Sequence, residues 1–438
     1  MNFQKSLDYL YSLGNEVLAM KFGLESTEKL LASLGNPERN FLKIQIAGTN
    51  GKGSTCVFLD AICRSANIRT GLFTSPHLIS ITERIKIAGA EISETDFARH
   101  ATRVRTIAEK LVQENQLESV PTFFEQMTAI AVSAFAEAKI ELAILETGLG
   151  GRLDSVTATR AEIVAITPID LDHQQILGNS IKEIAAEKSA IIRADTKVFV
   201  APQKKEAESV ILGKCIELGV EPILISLQIQ NNKILDDLGI FPFPLETTLI
   251  VNKKVYPHLI LKMSGRHQYE NAALAIIIAE SLNEYNFKIA SEDIRIGLET
   301  AEHKGRLEFY KGILFDGAHN VAGAKALKNY LDEFIKQPIT LIFGAMRDKD
   351  LAEIAEILFP LATFLIFTKA DNPRSMETGE LIKFLQKDFN KAYVYQRETV
   401  EEALLLAGQC SMRGITCVTG SLYLVGEAQK ILKNESEI

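Results

Sequence analysis

The five cysteines, Cys56, Cys63, Cys215, Cys410 and Cys417, include no C-x-x-C pair, which argues against both a zinc site and a disulfide framework. Cys56 and Cys63 read as packing residues. An excess of positive charge is also missing. The 48 basic and 56 acidic residues leave a net charge of -8, so no general field draws nucleic acid or an anionic membrane, and any anionic ligand must be held by a local site. No uncharged apolar run approaches the roughly 18–20 residues that a membrane span requires. The segment from Met1 to Leu10 lacks the basic start and apolar middle of a signal peptide, and a cytoplasmic location is the expectation. Tandem repeats and low-complexity tracts are absent too. What is present is an ordinary globular composition: 438 residues, 47% of them hydrophobic, enough for a sizeable core and more in keeping with two domains than one.

The apolar pattern alternates between strand-like and helix-like runs. Leu42, Ile44 and Ile46 suit a strand, and Val57, Phe58, Ala61 and Ile62 then fall on one helical face. "EQMTAIAVSAFAEA" has helical spacing and leads into the strand-like runs "ELAILETG" and "EIVAITPID". Such units build a buried, mostly parallel sheet with helices on both faces. From about Leu307 a second alternation begins, in which "GILFDGA", "ITLIFGA", "TFLIFT", "AYVYQ" and "ITCVTGS" are separated by helix-length segments. The fold class expected is therefore α/β: an N-terminal domain over 1–300 and a smaller Rossmann-like domain over 301–438. Between Lys204 and Lys262 the chain is less regular, broken by Pro222, Pro242, Pro244 and Pro257, and reads as an appended strand-rich segment.

The stretch "IQIAGTNGKGSTCVFLDAI" places Gly48, Gly51 and Gly53 between the first strand and the first helix of this pattern. Glycines at such a turn let backbone N–H groups converge on an anion at the helix N-terminus. Lys52 adds a positive charge, and Ser54 or Thr55 offers a hydroxyl to a magnesium ion. The spacing departs from the standard P-loop, which has glycine where Ile46 stands and Ser or Thr where Gly53 stands. General P-loop ATPases and GTPases fit poorly.

That departure carries a resemblance. "GTNGKGS" resembles the nucleotide loop of the Mur ligase superfamily, and specifically of its folate branch, the folylpolyglutamate and dihydrofolate synthases. Further motifs similar to that branch follow in order: "TSPHL", "FFEQMTAIAVSAF", "ETGLGGRLDS", "DHQQILG", "EKSAII", "GRHQYENAALA", "GRLE", "FDGAHN", "RDKD" and "GSLYLVGE". The resemblance spans Gly48 to Glu427. It implies an ATP-dependent acid–amino-acid ligase that joins L-glutamate to a pterin-bearing carboxylate, releasing ADP and phosphate. Dihydropteroate, tetrahydrofolate or both remain open as acceptors, the bifunctional form being the first choice. A peptidoglycan-type Mur ligase is the nearest enzyme alternative, against which "FFEQMTA" and "TSPHL" argue. A nucleotide-binding regulatory module without catalysis is disfavoured by Lys52, Glu146, His173 and Lys188 occurring together.

Residue roles come from the same resemblance. Asn50, Gly51, Lys52, Gly53 and Ser54 hold phosphates, Asn271 meets the adenine, and Arg306, Asp316 and His319 reach the nucleotide from the second domain. Ser54, Ser75, Glu146 and His173 are the candidate Mg²⁺ ligands, of which His173 offers nitrogen to an ion that prefers oxygen. Lys188 stands at a lysine that the family carbamylates with CO₂, although Ser189-Ala190 replaces the usual Ala-Gly after it. Thr122, Phe123, Phe124 and Asp154 form the expected pterin site, with at least one of the two phenylalanines in the core, since neighbours on an element cannot both face one way. Arg374 and Ser421 are the candidate glutamate-binding pair. No nucleic-acid or membrane partner is implied, and a monomer is the family's habit.

Overall fold

The structure is a computed structural model that describes residues 1–14, 23–234, 245–347, 349, 351–386, 389, 393–410 and 414–434. Eight strands form the first sheet: β1 (Leu42–Ala47), β2 (Thr70–Phe73), β3 (Ile85–Ile87), β4 (Ala90–Glu91), β5 (Leu142–Glu146), β6 (Ile163–Ile166), β7 (Lys197–Val200) and β8 (Ile223–Leu224). Their order is β4-β3-β2-β5-β1-β6-β7-β8. All pairings from β2 to β8 are parallel, and the short β3 and β4 close one edge antiparallel. Strand β1 lies between β5 and β6, with Ile44 level with both Ile144 and Ile163. Ile46 is level with Glu146. The chain leaves β1 for β2 on one side and later returns to β6 on the other, so a crevice opens at the C-terminal end of β1, where parallel sheets bind ligands.

Residue alternation assigns the two faces. Ile44, Ile46, Leu142, Ile144 and Ile163 pack under the helices Lys52–Ser65, His267–Ser281 and Ser291–Thr300. Ala143 and Leu145 point the other way, toward Phe123–Glu137 and Glu94–Gln113. The helix Lys52–Ser65 does not present a single buried face: every residue from Gly53 to Cys63 is buried. It is enclosed by the sheet on one side and two helices on the other, and at the crossing with Ser291–Thr300 a Cβ on Gly297 would lie 2.4 Å from Ile62 Cα. Cys56 and Cys63 are free thiols in this packing.

The segment expected to be strand-rich divides in two. Its first part, Lys205–Leu218, is a helix, because Ala207, Ile211 and Cys215 recur at four-residue spacing and bury against β6 and β7. After β8, a three-stranded antiparallel sheet of β9 (Leu227–Ile234), β10 (Leu245–Val251) and β11 (Lys254–Ile260) follows in the order β11-β10-β9. Pro257 falls on the edge strand β11, the position a ladder tolerates for a residue without N–H. Pro242 and Pro244 lie outside the described residues.

The second domain holds six strands: β12 (Glu308–Tyr310), β13 (Ile313–Asp316), β14 (Ile339–Phe343), β15 (Phe364–Phe367), β16 (Val394–Gln396) and β17 (Ile415–Thr419), in the order β12-β13-β17-β14-β15-β16. Five of them are parallel, and β12 is an antiparallel edge formed by the "LEFY" run. Leu341, Phe343, Leu365 and Phe367 face one set of helices, and Ile342, Ile366 and Val418 the other. The two domains touch where the "TSPHL" loop meets the helix Leu422–Asn434: a Cβ on Gly426 would lie 2.1 Å from the Leu78 carbonyl oxygen. No helix among the described residues is long and apolar enough to cross a membrane.

Candidate active site

The C-terminal ends of the two parallel sheets face one cleft of about 650 Å³. Every predicted site residue except Phe123 lines it. At its floor the chain turns from β1 into the helix Lys52–Ser65 through Gly48 and Gly51, both at positive φ (151° and 85°). A side chain at either would collide: a Cβ on Gly48 would lie 1.8 Å from Thr167 Oγ1, and one on Gly51 2.1 Å from Asn271 Oδ1. Close approach as well as backbone conformation therefore demands glycine here. The amides of Thr49 and Asn50 are given to the Pro168 carbonyl, so the groups left for an anion are those of the helix's first turn, which have no partner within the helix.

Two lysine side chains converge on this turn. Lys52 Nζ donates to the carbonyls of Gly48 (3.2 Å) and Thr49 (3.3 Å), and Lys188 Nζ donates to the same Gly48 oxygen at 2.8 Å. Lys188 is only 4% exposed. Its burial, reinforced by repulsion from Lys52, pushes its pKa down to about 7. Glu146, at the end of β5, is buried and accepts the Ser75 N–H at 3.0 Å. Burial raises its pKa, against the opposing pull of Lys52, the Ser75 amide and Arg306.

The neighbouring wall is built by capping. Thr122 begins the helix Phe123–Glu137 with its Oγ1 accepting the Glu125 N–H, while Glu125 accepts the Thr122 N–H at 2.7 Å. This start sends the two phenylalanines in different directions. Phe123 is 2% exposed and stacks on Tyr11, with the Arg84 guanidinium 5.4 Å from its ring. It is a core residue, and the expectation that it touches a ligand is corrected. Phe124 lines the cleft above Gly148, where a Cβ would lie 2.5 Å from its ring. Asp154 spends its carboxylate on the Leu149 and Val156 amides, and burial lifts its pKa to about 6.

The second domain supplies the facing wall. Asp316, ending β13, accepts the Leu307 and Ala318 amides, each at 3.0 Å; burial raises its pKa to about 6 despite the nearby Arg306. Arg306 Nη1 reaches toward the Gly317 carbonyl at 3.5 Å, and His319 Nδ1 lies 2.7 Å from the same oxygen. Arg374 and Ser421 share the cleft farther along this wall. Asn271 is buried and donates to Gln268 Oε1 at 2.9 Å.

Between the walls lies a polar lock. Asp172 pairs with Lys349 across the domains at 2.7 Å, both side chains about nine-tenths buried (10% and 8% exposed). Asn320 Nδ2 spans the same gap, 3.1 Å from Asp172 Oδ2 and 3.0 Å from Asn50 Oδ1, while its Oδ1 caps the helix Val321–Phe334. Burial alone would raise the Asp172 pKa, but Lys349, His319 and His173 together hold it well below the usual carboxylate range. His173 sits beside Asp172 with a left-handed backbone (φ 49°) and its Nε2 3.9 Å from Asp172 Oδ1.

Comparison with known proteins gives the family and the fold. Residues 46–279 match the model of the Mur ligase middle domain, and residues 307–432 match that of the dihydrofolate synthetase C-terminal domain. The dihydrofolate synthase/folylpolyglutamate synthase of Bacillus subtilis is 33% identical over 428 residues, covering 96% of this chain and 97% of that protein. The chain belongs to this family. Among solved structures, Mycobacterium tuberculosis folylpolyglutamate synthase complexed with ADP superposes with a TM-score of 0.88 at 28% identity, covering 98% of each chain. Thermotoga maritima folylpolyglutamate synthase does so at 0.83 and 30% identity, covering 99% of this chain and 97% of that one. The protein is thus an ATP-dependent ligase of the folate branch, with a two-domain α/β fold.

Sequence reasoning missed several residues of this ligase cleft. Asp172, Lys349 and Asn320 lie inside the quoted motifs "DHQQILG", "RDKD" and "FDGAHN", yet their pairing joins positions 148 and 177 residues apart, which no local pattern announces. His303 precedes "GRLE" and faces Ser54. A histidine three residues before a candidate phosphate-binding arginine was the available signal.

Proposed function

We propose that this chain joins the α-amino group of L-glutamate to the carboxylate of a pterin-bearing acid, accepting both dihydropteroate and tetrahydrofolate. The observation that carries the reading is the convergence of two parallel sheets on one cleft, with the glycine turn and two lysines on one wall and Arg306 and Asp316 on the other. Amide formation from a free acid in water is uphill. An oxygen of the acceptor carboxylate attacks the γ-phosphorus of ATP, the bond to the bridging oxygen breaks, and ADP leaves an acyl phosphate behind. The glutamate amine then attacks the acyl carbon, phosphate departs, and the amine sheds its proton. The protein's work is to hold the reactants in line and neutralise charge on the phosphoryl group. Lys52, the first-turn amides and Arg306 supply that charge. Closure of the second domain keeps water from the acyl phosphate. Phe124 offers a ring face to the pterin, and Arg374 with Ser421 holds glutamate. One chain contributes both walls, so a monomer suffices, and the division between its domains is drawn near residue 300.

The residues present fit a hard divalent ion. Glu146 is buried with a backbone amide as its bonded donor, and among the described residues no cation lies within ion-pair distance of it. Gly53 keeps that carboxylate clear, since a Cβ there would lie 3.3 Å from Glu146 Oε2. No group of three or more His, Cys, Asp or Glu side chains able to hold a metal occurs among the described residues. It is the buried Glu146 carboxylate that suits Mg²⁺, an ion that prefers oxygen, keeps waters and shares phosphate oxygens. Ser54, Ser75, Glu146 and His173 are the residues that would hold it, and when bound it would supply positive charge to the phosphate oxygens. Lys188, with its pKa lowered to about 7, keeps a substantial share of free amine at neutral pH and is suited to attack CO₂ through Nζ, losing a proton and becoming a carbamate anion.

The test offers the purified protein ATP, Mg²⁺ and L-glutamate with dihydropteroate or tetrahydrofolate in turn. Phosphate release matched by a product heavier by one glutamyl residue is expected with each acceptor. Turnover with only one acceptor would remove the bifunctional reading, and turnover with neither would remove the proposed reaction.

A further inference from the structure

The chain between the two domains carries a histidine for which the reaction has so far found no use. His303 follows the helix Ser291–Thr300, stands three residues before Arg306, and lines the cleft with its Nδ1 3.2 Å from Ser54 Oγ. Its ring lies against the phosphate turn: a Cβ on Gly53 would come within 2.7 Å of His303 Cε1. Gly53 is the position where a standard P-loop has its hydroxyl residue. In this chain the hydroxyl moves one residue on, to Ser54, and the imidazole occupies the space left beside the loop.

A neutral imidazole has one nitrogen that accepts and one that donates. A serine in the first turn of a helix otherwise turns its hydroxyl proton toward a nearby backbone carbonyl. If the proton goes to His303 instead, both lone pairs of the Ser54 oxygen remain free. A cation beside the phosphates needs that arrangement.

We infer that His303 is a positioning residue whose Nδ1 accepts the Ser54 hydroxyl proton and so aims the Ser54 oxygen at the divalent ion. The inference rests on Ser54 serving as an oxygen donor to that ion, as proposed above. It also gives the inter-domain linker a direct contact with the phosphate turn, through the same short segment that delivers Arg306 to the nucleotide.

The test is binding without turnover. Mn²⁺ serves as the spectroscopic probe, and its affinity for the protein–ADP complex is measured by electron paramagnetic resonance in wild type, His303→Leu and His303→Asn. Leucine keeps apolar bulk without an acceptor, whereas the asparagine side-chain oxygen falls near the place of imidazole Nδ1. His303→Leu should weaken Mn²⁺ binding by about tenfold or more, the usual effect of losing a partner that orients a ligand. Its affinity for ADP alone should stay within about twofold of wild type, and His303→Asn should recover Mn²⁺ affinity to within about threefold, since only the metal-orienting bond is at issue. In a Ser54→Ala background His303→Leu should add nothing. Unchanged Mn²⁺ affinity in His303→Leu, an equal loss in His303→Asn, or additive losses with Ser54→Ala would each overturn the inference. Failure of the wild-type complex to bind Mn²⁺ would instead remove the underlying reading of Ser54.

Discussion

Lys188 keeps an amine where a charged one is costly. Its folded pKa of about 7 lies below the ordinary 10.5, so between these values the unfolded chain holds more protons than the folded one, and this residue's contribution makes stability rise with pH across that window. The same sign governs reactivity: the free amine is the minority form below about pH 7 and the majority above it. Protein equilibrated with ¹³C-bicarbonate should therefore show a carbamate resonance that grows from pH 6 to 8 and is absent in Lys188→Ala. A pH-independent signal, or one that survives the substitution, would detach CO₂ from this residue. Glu146→Gln keeps shape but removes the anion. The Mg²⁺ concentration for half-maximal ligation should rise at least about tenfold, the lower end of what losing even an outer partner costs a metal; an unchanged requirement would take Glu146 off the ion. Residue types in motifs were legible in the sequence, but side-chain direction was not. Phe123 and Phe124 are equivalent as letters, and only the entry angle of their helix sends one ring against Tyr11 and the other over Gly148.

Elements were legible where one interaction dominates. The strand-to-helix turn at Gly48–Ser54 and the alternating runs of both sheets show local periodicity because a buried parallel sheet demands it. Lys205–Leu218 was misread because its exposed positions, Ile216 among them at 80% exposure, blur the helical stripe, and the three strands after it took its place in the reading. The edge β12 was missed because it is three residues long, too short for any period to show. Caps are a finer matter. Thr122 carries the start of the helix that presents Phe124, so Thr122→Ala should lower stability by about 1 kcal/mol. The urea midpoint should fall at constant slope. A midpoint equal to wild type would show that the Thr122 hydroxyl does not support this helix.

At the scale of the molecule, the two walls of the cleft are joined by polar contacts that no window of sequence contains. Lys349→Met removes the lysine partner of a carboxylate that is about nine-tenths buried, at a cost to the contact between the domains of about 3 kcal/mol. Phosphate should then be released in excess of amide, because the acyl phosphate is met by water before glutamate; a one-to-one ratio would show that closure does not depend on this pair. The hard contact between domains involves no side chain on one partner. Gly426 lets the Leu78 carbonyl rest against the helix Leu422–Asn434 at a separation into which not even a methyl fits. Gly426→Ala should act as a wedge, enlarging the radius of gyration in solution X-ray scattering while the phosphate turn still binds ADP, and an unchanged radius would contradict it. Mechanically, the bare backbone at Gly426 is a bearing surface: it sets how far the second domain can swing home, and hence the distance across which an amine must reach its target.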